Sequence, residues 1–247
     1  MFLLQTPDPL ALTGRSATHV VALQGTSVLL HRDVLLPFLA LREAARAEGI
    51  DLVPVSGFRD FARQRLIWNA KCRGERELLD RDGQRLDALA LTPAALVEAV
   101  LGWSALPGAS RHHWGTDLDV IDAAALAPGQ QPRLVPAEFA SSGVFGPLQA
   151  WLAVNLTRFG FFRPYQRDLG GVQPEPWHLS HAALAAEAQQ ALSLAMLREA
   201  LAGAGLEQEA EVMRRLPQLY ERYVCNVAPA PADALAATAL TWAPRPS

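Results

Sequence analysis

Cysteine is scarce in this sequence, and the cysteines it contains offer little chemistry. Cys72 and Cys225 are the only two among 247 residues. They could form at most one disulfide, and spacing alone does not decide whether they meet. Neither has a close cysteine or histidine partner with which to bind zinc. We therefore expect two ordinary thiols.

The sequence also lacks an excess of positive charge, a long apolar run and an obvious leader. The formal net charge is −3, so no basic field points to nucleic acid or to an anionic membrane. No apolar run approaches the ~18 residues of a membrane-spanning helix. The N-terminus MFLLQTPDP has no basic segment before proline and aspartate interrupt it, so we expect no cleavable signal peptide. These features favour a cytoplasmic protein, with the periplasm as the alternative.

What the chain does have is apolar content. Half of the residues are apolar, so a chain of this length can bury a sizeable core as one domain with appendages. We predict a single domain over 1–225, in which 181–225 form a helical cap. Residues 226–247 are rich in alanine and proline, which predicts a tail that is mobile or lies over the surface.

Local patterns predict a mixture of short strands and amphipathic helices. The segment 51–56 (DLVPVS) is a predicted strand, and a helix follows from about Asp60 to Lys71. The charged stretch at 73–87 is predicted to be a surface loop. Residues 19–31 suggest a strand and turn, and further helices are expected at 32–49 (interrupted near Pro37), 92–102, 143–160, 181–203 and 207–223.

The most informative residues lie in SRHHWGTDLD at 110–119 and EPWH at 175–178. Together they offer two histidines, an aspartate and a free glutamate. A hydrolytic zinc site needs three nitrogen or oxygen ligands and an unligated carboxylate that takes the proton of a water. The candidate ligands are His112, Asp119 and His178, and Glu175 is the candidate base.

The spacing of these residues can be tested against local geometry. If 116–122 form a strand, Asp119 lies on its polar face, and Gly115 allows the tight path that brings His112 over that face. Glu175 and His178 would point to opposite faces of an ideal strand. Pro176 suggests that regular pairing starts only after it, which would let Glu175 reach the same site.

Three separated motifs then carry a family resemblance. Ser110-x-His112-x-x-Gly115-x-x-x-Asp119 and Glu175-x-Trp177-His178, preceded by SGFRDFARQ at 56–64, resemble the VanY-type D-alanyl-D-alanine carboxypeptidases. Their zinc peptidase superfamily also includes lysostaphin-like enzymes and the hedgehog signalling domain. The resemblance covers roughly Leu52 to Ser180 and implies an α+β fold, with zinc on a small antiparallel sheet flanked by helices.

The resemblance also implies roles for the surrounding polar residues. Arg59 would stabilise the developing oxyanion or the substrate carboxylate. Gln64 and Ser110 would help to hold the C-terminal carboxylate of a peptidoglycan peptide. The commonest form of the family has a small residue at position 117, so Asp117 is either a partner behind the ligands or a competitor of Asp119 for the metal.

Each of these residues also has a structural reading. Arg59 could be a solvated residue at a helix start, although a strand-to-helix junction is where active-site groups often lie. Gln64 and Ser110 could be capping or surface residues. His113 is expected to be structural or to lie at the rim, and the remaining histidines are expected at the surface or in the core: His19, His31 and His181.

The function predicted from the resemblance is zinc-dependent removal of the C-terminal D-alanine from stem peptides. The substrate would be a peptidoglycan stem peptide, or a soluble precursor or recycled muropeptide. The same zinc site would also suit an L,D-carboxypeptidase, a peptidoglycan endopeptidase or a non-enzymatic binding domain. Glu175 and Arg59 favour an enzyme, because structural zinc needs neither. A serine enzyme is not expected, since no Ser-x-x-Lys tetrad occurs.

Overall fold

The computed structural model describes residues 8–241. Residues 1–7, on which the expectation about a signal peptide depends, and residues 242–247 of the predicted tail lie outside the described residues. A four-stranded antiparallel sheet with helices around it forms the centre of the fold. The α+β class predicted from the sequence is therefore confirmed.

The central sheet has the strand order β3-β4-β6-β5. Strand β4 pairs with β3 on one side and with β6 on the other, both antiparallel. The register between β3 and β4 shifts between Pro54 and Ser56, at a bulge. A separate hairpin of β1 and β2 precedes the sheet. The strands are β1 (Val20–Ala22), β2 (Leu29–His31), β3 (Leu52–Ser56), β4 (Asp117–Asp122), β5 (Phe161–Phe162) and β6 (His178–His181).

The helices largely follow the predicted segments. The second helix was predicted from residue 32, with an interruption near Pro37. It begins at Leu35 and is not interrupted. Pro37 lies in its first turn, where a proline removes no intrahelical hydrogen bond. The helices are α1 (Pro9–Leu12), α2 (Leu35–Ala47), α3 (Phe61–Cys72), α4 (Pro93–Trp103), α5 (Gly146–Asn155), α6 (Ala182–Ala191), α7 (Leu194–Leu201), α8 (Glu209–Leu219) and α9 (Ala232–Thr241). Short 3-10 turns occupy Ala88–Ala90, Arg111–Trp114, Ala123–Ala125, Pro136–Phe139 and Leu156–Phe159.

Two hydrophobic clusters hold these elements together. One cluster joins the apolar face of the sheet to α2 and α5, through residues such as Leu118, Leu179, Phe38 and Leu152. The other packs α3 and α4 against the C-terminal helices α7 and α8. Because Leu118 and Leu179 point into the first cluster, their strand neighbours project from the opposite face of the sheet.

The C-terminal part of the chain is helical, as predicted, through α6 to α8 and a π-helical turn at Tyr220–Cys225. Within the segment predicted as a tail, α9 packs against α6 and the turn at Leu156–Phe159. Cys72 is buried and Cys225 is exposed, and both are free thiols, as expected. Among the described residues, no helix combines the length and apolar character needed to cross a membrane.

Candidate active site

The register of the central sheet lines up three polar residues on one face. Ser56 in β3 lies opposite Asp119 in β4, and Asp119 lies opposite His178 in β6. Residues directly opposite on neighbouring strands share a face and have adjacent side chains. The sheet therefore brings together two of the predicted metal ligands, which are 59 positions apart in the sequence.

The third predicted ligand comes from the 3-10 turn at Arg111–Trp114. Gly115 ends this turn in the left-handed region, with φ +66°. A Cβ atom at this position would lie 2.7 Å from the backbone nitrogen of His31, so only glycine fits. The sharp turn returns the chain to the sheet and leaves the Nε2 atom of His112 3.5 Å from Oδ2 of Asp119.

Hydrogen bonds fix which ring nitrogen each histidine presents to the site. The Nδ1 atom of His112 donates to the backbone oxygen of Gly57 at 2.8 Å, so Nε2 is free. The Nε2 atom of His178 donates to Asp117 Oδ1 at 2.9 Å, so Nδ1 is free. Hydrogen-bonded outer nitrogens of this kind are the usual arrangement of metal-binding histidines.

The free atoms fit a metal ion. Ligand atoms of His112, Asp119 and His178 lie within 4.8 Å of one another. His178 Nδ1 and Asp119 Oδ1 are 3.4 Å apart, and both are buried without a hydrogen-bond partner. Two ligands of a tetrahedral zinc lie about 3.4 Å apart when each bond is about 2.0–2.1 Å. The three predicted residues could therefore hold a metal ion.

Asp117 occupies a different position from Asp119. Its carboxylate is fully buried behind His178 and also accepts hydrogen bonds from Arg111 Nε at 2.7 Å and from Thr116 Oγ1 at 2.7 Å. Arg111 also donates to Ser180 and Gln189. Of the two readings of Asp117, the geometry favours the one in which it supports a ligand.

The turn before β6 explains how Glu175 reaches the site. The backbone nitrogen of His178 donates to the backbone oxygen of Glu175 at 3.1 Å, with Pro176 at the second position of the turn. Regular pairing then begins at His178. The Oε2 atom of Glu175 lies 3.3 Å from His178 Nδ1. The proline thus produces the irregular approach expected from the sequence.

Arg59 is held beside the same residues. Its guanidinium donates to Gln64 Oε1 at 2.8 Å and to Ser56 Oγ at 3.1 Å, and it lies 4.0 Å from Asp119 Oδ2. Gln64 is completely buried, and its amide nitrogen donates to Ser104 and Ala105. The structure thus places Gln64 behind Arg59, out of reach of a substrate, whereas Ser110 lines the cavity in front of the site.

Burial and neighbouring charges set the protonation of the site. Burial lowers the pKa of His112 to about 3, which keeps its ring neutral. Burial also disfavours charge on His178, but the hydrogen bond to Asp117 and the nearby carboxylates of Asp119 and Glu175 outweigh it and raise its pKa well above the usual value. The carboxylates therefore favour a positive charge beside His178, which a proton or a metal ion can supply.

A cavity of about 340 Å³ opens in front of these residues. Lys71 and Tyr165 are among the lining residues that sequence reasoning missed. The Tyr165 ring lies edge-on to His178, with centroids 5.0 Å apart, and burial raises its pKa to about 12. The charged stretch 73–87 was predicted only as a surface loop, but it also forms one wall of this cavity. No sequence motif marks these residues.

The other histidines do not contribute atoms to this site. His113 is buried, accepts from the backbone nitrogen of Gly108 and bonds to the backbone oxygen of Arg59, so it is structural, as expected. His181 is buried in β6. His19 and His31 lie near each other beside the N-terminal hairpin, with ring centroids 5.8 Å apart.

Comparison with known proteins gives matches across this part of the chain. Residues 27–184 match the model of the VanY family, D-alanyl-D-alanine carboxypeptidase. An uncharacterised protein of Haemophilus influenzae is 43% identical over 101 residues, which are 40% of this chain and 69% of that protein. A D-alanyl-D-alanine carboxypeptidase of Enterococcus faecalis is 28% identical over 154 residues, which are 61% of this chain and 47% of that protein.

The fold also has a counterpart among solved structures. VanYB in complex with D-alanine-D-alanine is 23% identical in sequence and aligns with a TM-score of 0.50. The alignment covers 80% of this chain and 90% of that chain. The similarity therefore extends over most of both folds.

Proposed function

Because the chain belongs to the VanY D-alanyl-D-alanine carboxypeptidase family, we propose that it is a zinc-dependent carboxypeptidase that removes the C-terminal D-alanine of peptidoglycan stem peptides. Family membership confirms the resemblance found in the three motifs. The observation that carries the proposal is the pair of orphaned atoms, Asp119 Oδ1 and His178 Nδ1, which face each other beside Glu175. The name of the Enterococcus faecalis relative supports the choice of substrate.

In this proposal His112, Asp119 and His178 hold the ion. Zinc in such a site supplies a Lewis acid that makes hydroxide available near neutral pH. A nitrogen, oxygen and nitrogen donor set is one that zinc accepts in catalytic sites. Cys72 and Cys225 take no part, since neither belongs to the ligand cluster.

Glu175 acts as the base. Its side chain is 14% exposed and opens to the cavity, so a water and a peptide can both reach it. The carboxylate takes a proton from the attacking water and later delivers it to the departing amine of D-alanine. It can do so without leaving the turn that holds it next to His178.

Arg59 stabilises negative charge on the substrate. Gln64 and Ser56 fix its guanidinium, so the group faces the reacting carbonyl or the terminal carboxylate without reorganising during the reaction. Gln64 is thus a positioning residue in this proposal. Ser110 remains a candidate to bind the terminal carboxylate, because it lines the cavity.

Hydrolysis of a defined peptide tests the proposal. The zinc-loaded protein is incubated with a synthetic stem pentapeptide that ends in D-Ala-D-Ala, and the products are identified by mass spectrometry. We expect release of one D-alanine, and we expect Glu175→Gln protein with the same zinc content to release it far more slowly. Zinc binding without hydrolysis of any stem peptide would support the alternative of a metal-stabilised binding domain.

The same assay separates the related activities. Amidation of the C-terminus removes the charge of the carboxylate, so we expect kcat/KM to fall sharply for the amide. Equal cleavage of amide and free acid would favour an endopeptidase that recognises an internal segment. Preference for a tetrapeptide with an L,D terminal bond would favour an L,D-carboxypeptidase.

A further inference from the structure

Lys71 is the only lysine among the 247 residues, and it lines the cavity of the active site. The side chain is partly buried. Its Nζ atom donates to the backbone oxygen of Glu77 at 3.3 Å, and no carboxylate of residues 8–241 lies within ion-pair distance of it. A partly buried cation without a carboxylate partner is costly, and an anion bound in the cavity would offset that cost.

The charges around Lys71 are compatible with a bound anion. Burial lowers the pKa of Lys71. The negative charges of Glu175 and Glu77 raise it, and the positive charge of Arg76 lowers it further. Arg76 is exposed on the same wall and likewise makes no ion pair within the described part of the chain. Two cations thus border the cavity without a carboxylate partner.

Helix α3 relates the position of Lys71 to that of Arg59. Gln64 holds Arg59 from the first turn of α3, and Lys71 lies near the end of the helix, seven residues later. At 1.5 Å per residue, this separation is about 10 Å along the axis. An extended peptide advances about 3.3 Å per residue. Along α3, Lys71 is therefore about three extended peptide residues from Gln64, the residue that holds Arg59.

We infer that Lys71 binds a second carboxylate of the peptide substrate, carried two or three residues before its C-terminal residue. This inference rests on the proposed function, because it assumes that a peptide C-terminus lies at Arg59. The remainder of the peptide then runs along the cavity past Ile67, which precedes Lys71 by one helical turn on the same face of α3. An ammonium group suits a single carboxylate oxygen in confined space, where a guanidinium needs a wider, planar approach.

Peptides that differ by one charge test the inference. The substrates are N-acetyl tetrapeptides that end in D-Ala-D-Ala, with glutamine at both preceding positions or glutamate at one of them. With zinc-loaded full-length protein, we expect kcat/KM to be about tenfold higher for at least one glutamate peptide. Lys71→Met should remove this preference, and Lys71→Arg should keep part of it.

Arg63→Met is the matched control. Arg63 is an exposed cation of the same helix and does not line the cavity. Its loss changes the net charge equally but should leave the preference for glutamate intact. The inference is overturned if wild type shows no preference, or if Lys71→Met lowers kcat/KM by the same factor for all peptides, since that would mean an effect on Glu175.

Binding distinguishes failure of this inference from failure of the proposed function. Calorimetry with Glu175→Gln protein measures the Kd of each peptide without turnover. Suppose that the wild-type protein releases no D-alanine, but the glutamate peptides bind more tightly than the glutamine peptide and Lys71→Met removes this difference. The proposed function then fails, and the carboxylate site stands. If the wild-type protein releases D-alanine and all peptides bind with the same Kd, only the inference about Lys71 fails.

Discussion

The Nε2 atom of His178 donates to Oδ1 of Asp117 across 2.9 Å, and the ring therefore presents Nδ1 to Asp119. Arg111 compensates the charge of the buried aspartate with a 2.7 Å hydrogen bond. Burial opposes ionisation of Asp117, but Arg111 and His178 hold its pKa below the usual range. The ring of His178, a proposed ligand, is thus oriented by the buried charged pair of Asp117 and Arg111.

The two aspartates should respond differently to amidation. Asp119→Asn removes a proposed ligand and should abolish stoichiometric zinc binding. Asp117→Asn keeps the shape but weakens the support of His178, so zinc affinity should fall about 10–100-fold. Competition with a chromophoric chelator measures both affinities. The reverse order of effects would assign the metal to Asp117.

Glu175→Gln should separate metal binding from chemistry. The amide preserves the shape of the side chain and removes only its basicity. We expect zinc content to be unchanged and kcat to fall by about 10²–10⁴. Steady-state kinetics on a D-Ala-D-Ala peptide and metal analysis of the same sample provide the test. Turnover near the wild-type rate would remove Glu175 from the mechanism.

Arg59 and Gln64 should act as a unit. Arg59→Lys keeps the charge but cannot reproduce hydrogen bonds to Gln64 and Ser56 together, so we expect kcat to fall by about 10²–10³ with zinc retained. Gln64→Met keeps the size of the side chain and frees the guanidinium, which should lower kcat by a smaller factor. If Gln64→Met changes only thermal stability and leaves kcat intact, Gln64 does not position Arg59.

Acidification should weaken the fold through buried neutral histidines. Burial lowers the pKa of His181 to about 4, whereas an unfolded histidine titrates near 6.5. Between these values the unfolded chain binds a proton that the folded chain does not, so stability is present above pH 6.5 and is lost as the pH falls toward 4.

His181→Leu isolates this contribution. Both proteins should lose stability between pH 7 and pH 4.5. The decrease in the free energy of unfolding should be smaller in the variant than in wild type by about 2 kcal/mol. Urea denaturation at saturating zinc measures both, and the effects of the metal ligands cancel in the difference. Identical pH dependence of the two proteins would show that His181 titrates normally in the folded state.

The proximity of His112, Asp119 and His178 could be predicted because each motif is local. The alternation in β4, the turn at Gly115 and the proline before His178 are all visible in the sequence, and each fixes the direction of one side chain. The order of the three motifs indicated the family. In the structure, the register of the sheet places Asp119 opposite His178.

Features that depend on packing between distant segments could not be predicted. Gln64 was expected to touch the substrate, but the packing of α3 against Ser104 and Ala105 buries it behind Arg59. Lys71 comes to the cavity through the angle of the same helix, which no local pattern encodes. Strand β5 has only two residues, too few to show any periodicity.

Zinc titration of metal-free protein tests the central claim most directly. Protein stripped by a chelator is mixed with increasing zinc, and D-alanine release from a D-Ala-D-Ala peptide is followed at each step. We expect no release without metal and a linear rise in rate that reaches its plateau at one zinc per chain. Full activity in the stripped protein, or none with one zinc bound, would contradict the assignment of His112, Asp119 and His178 as the catalytic zinc site.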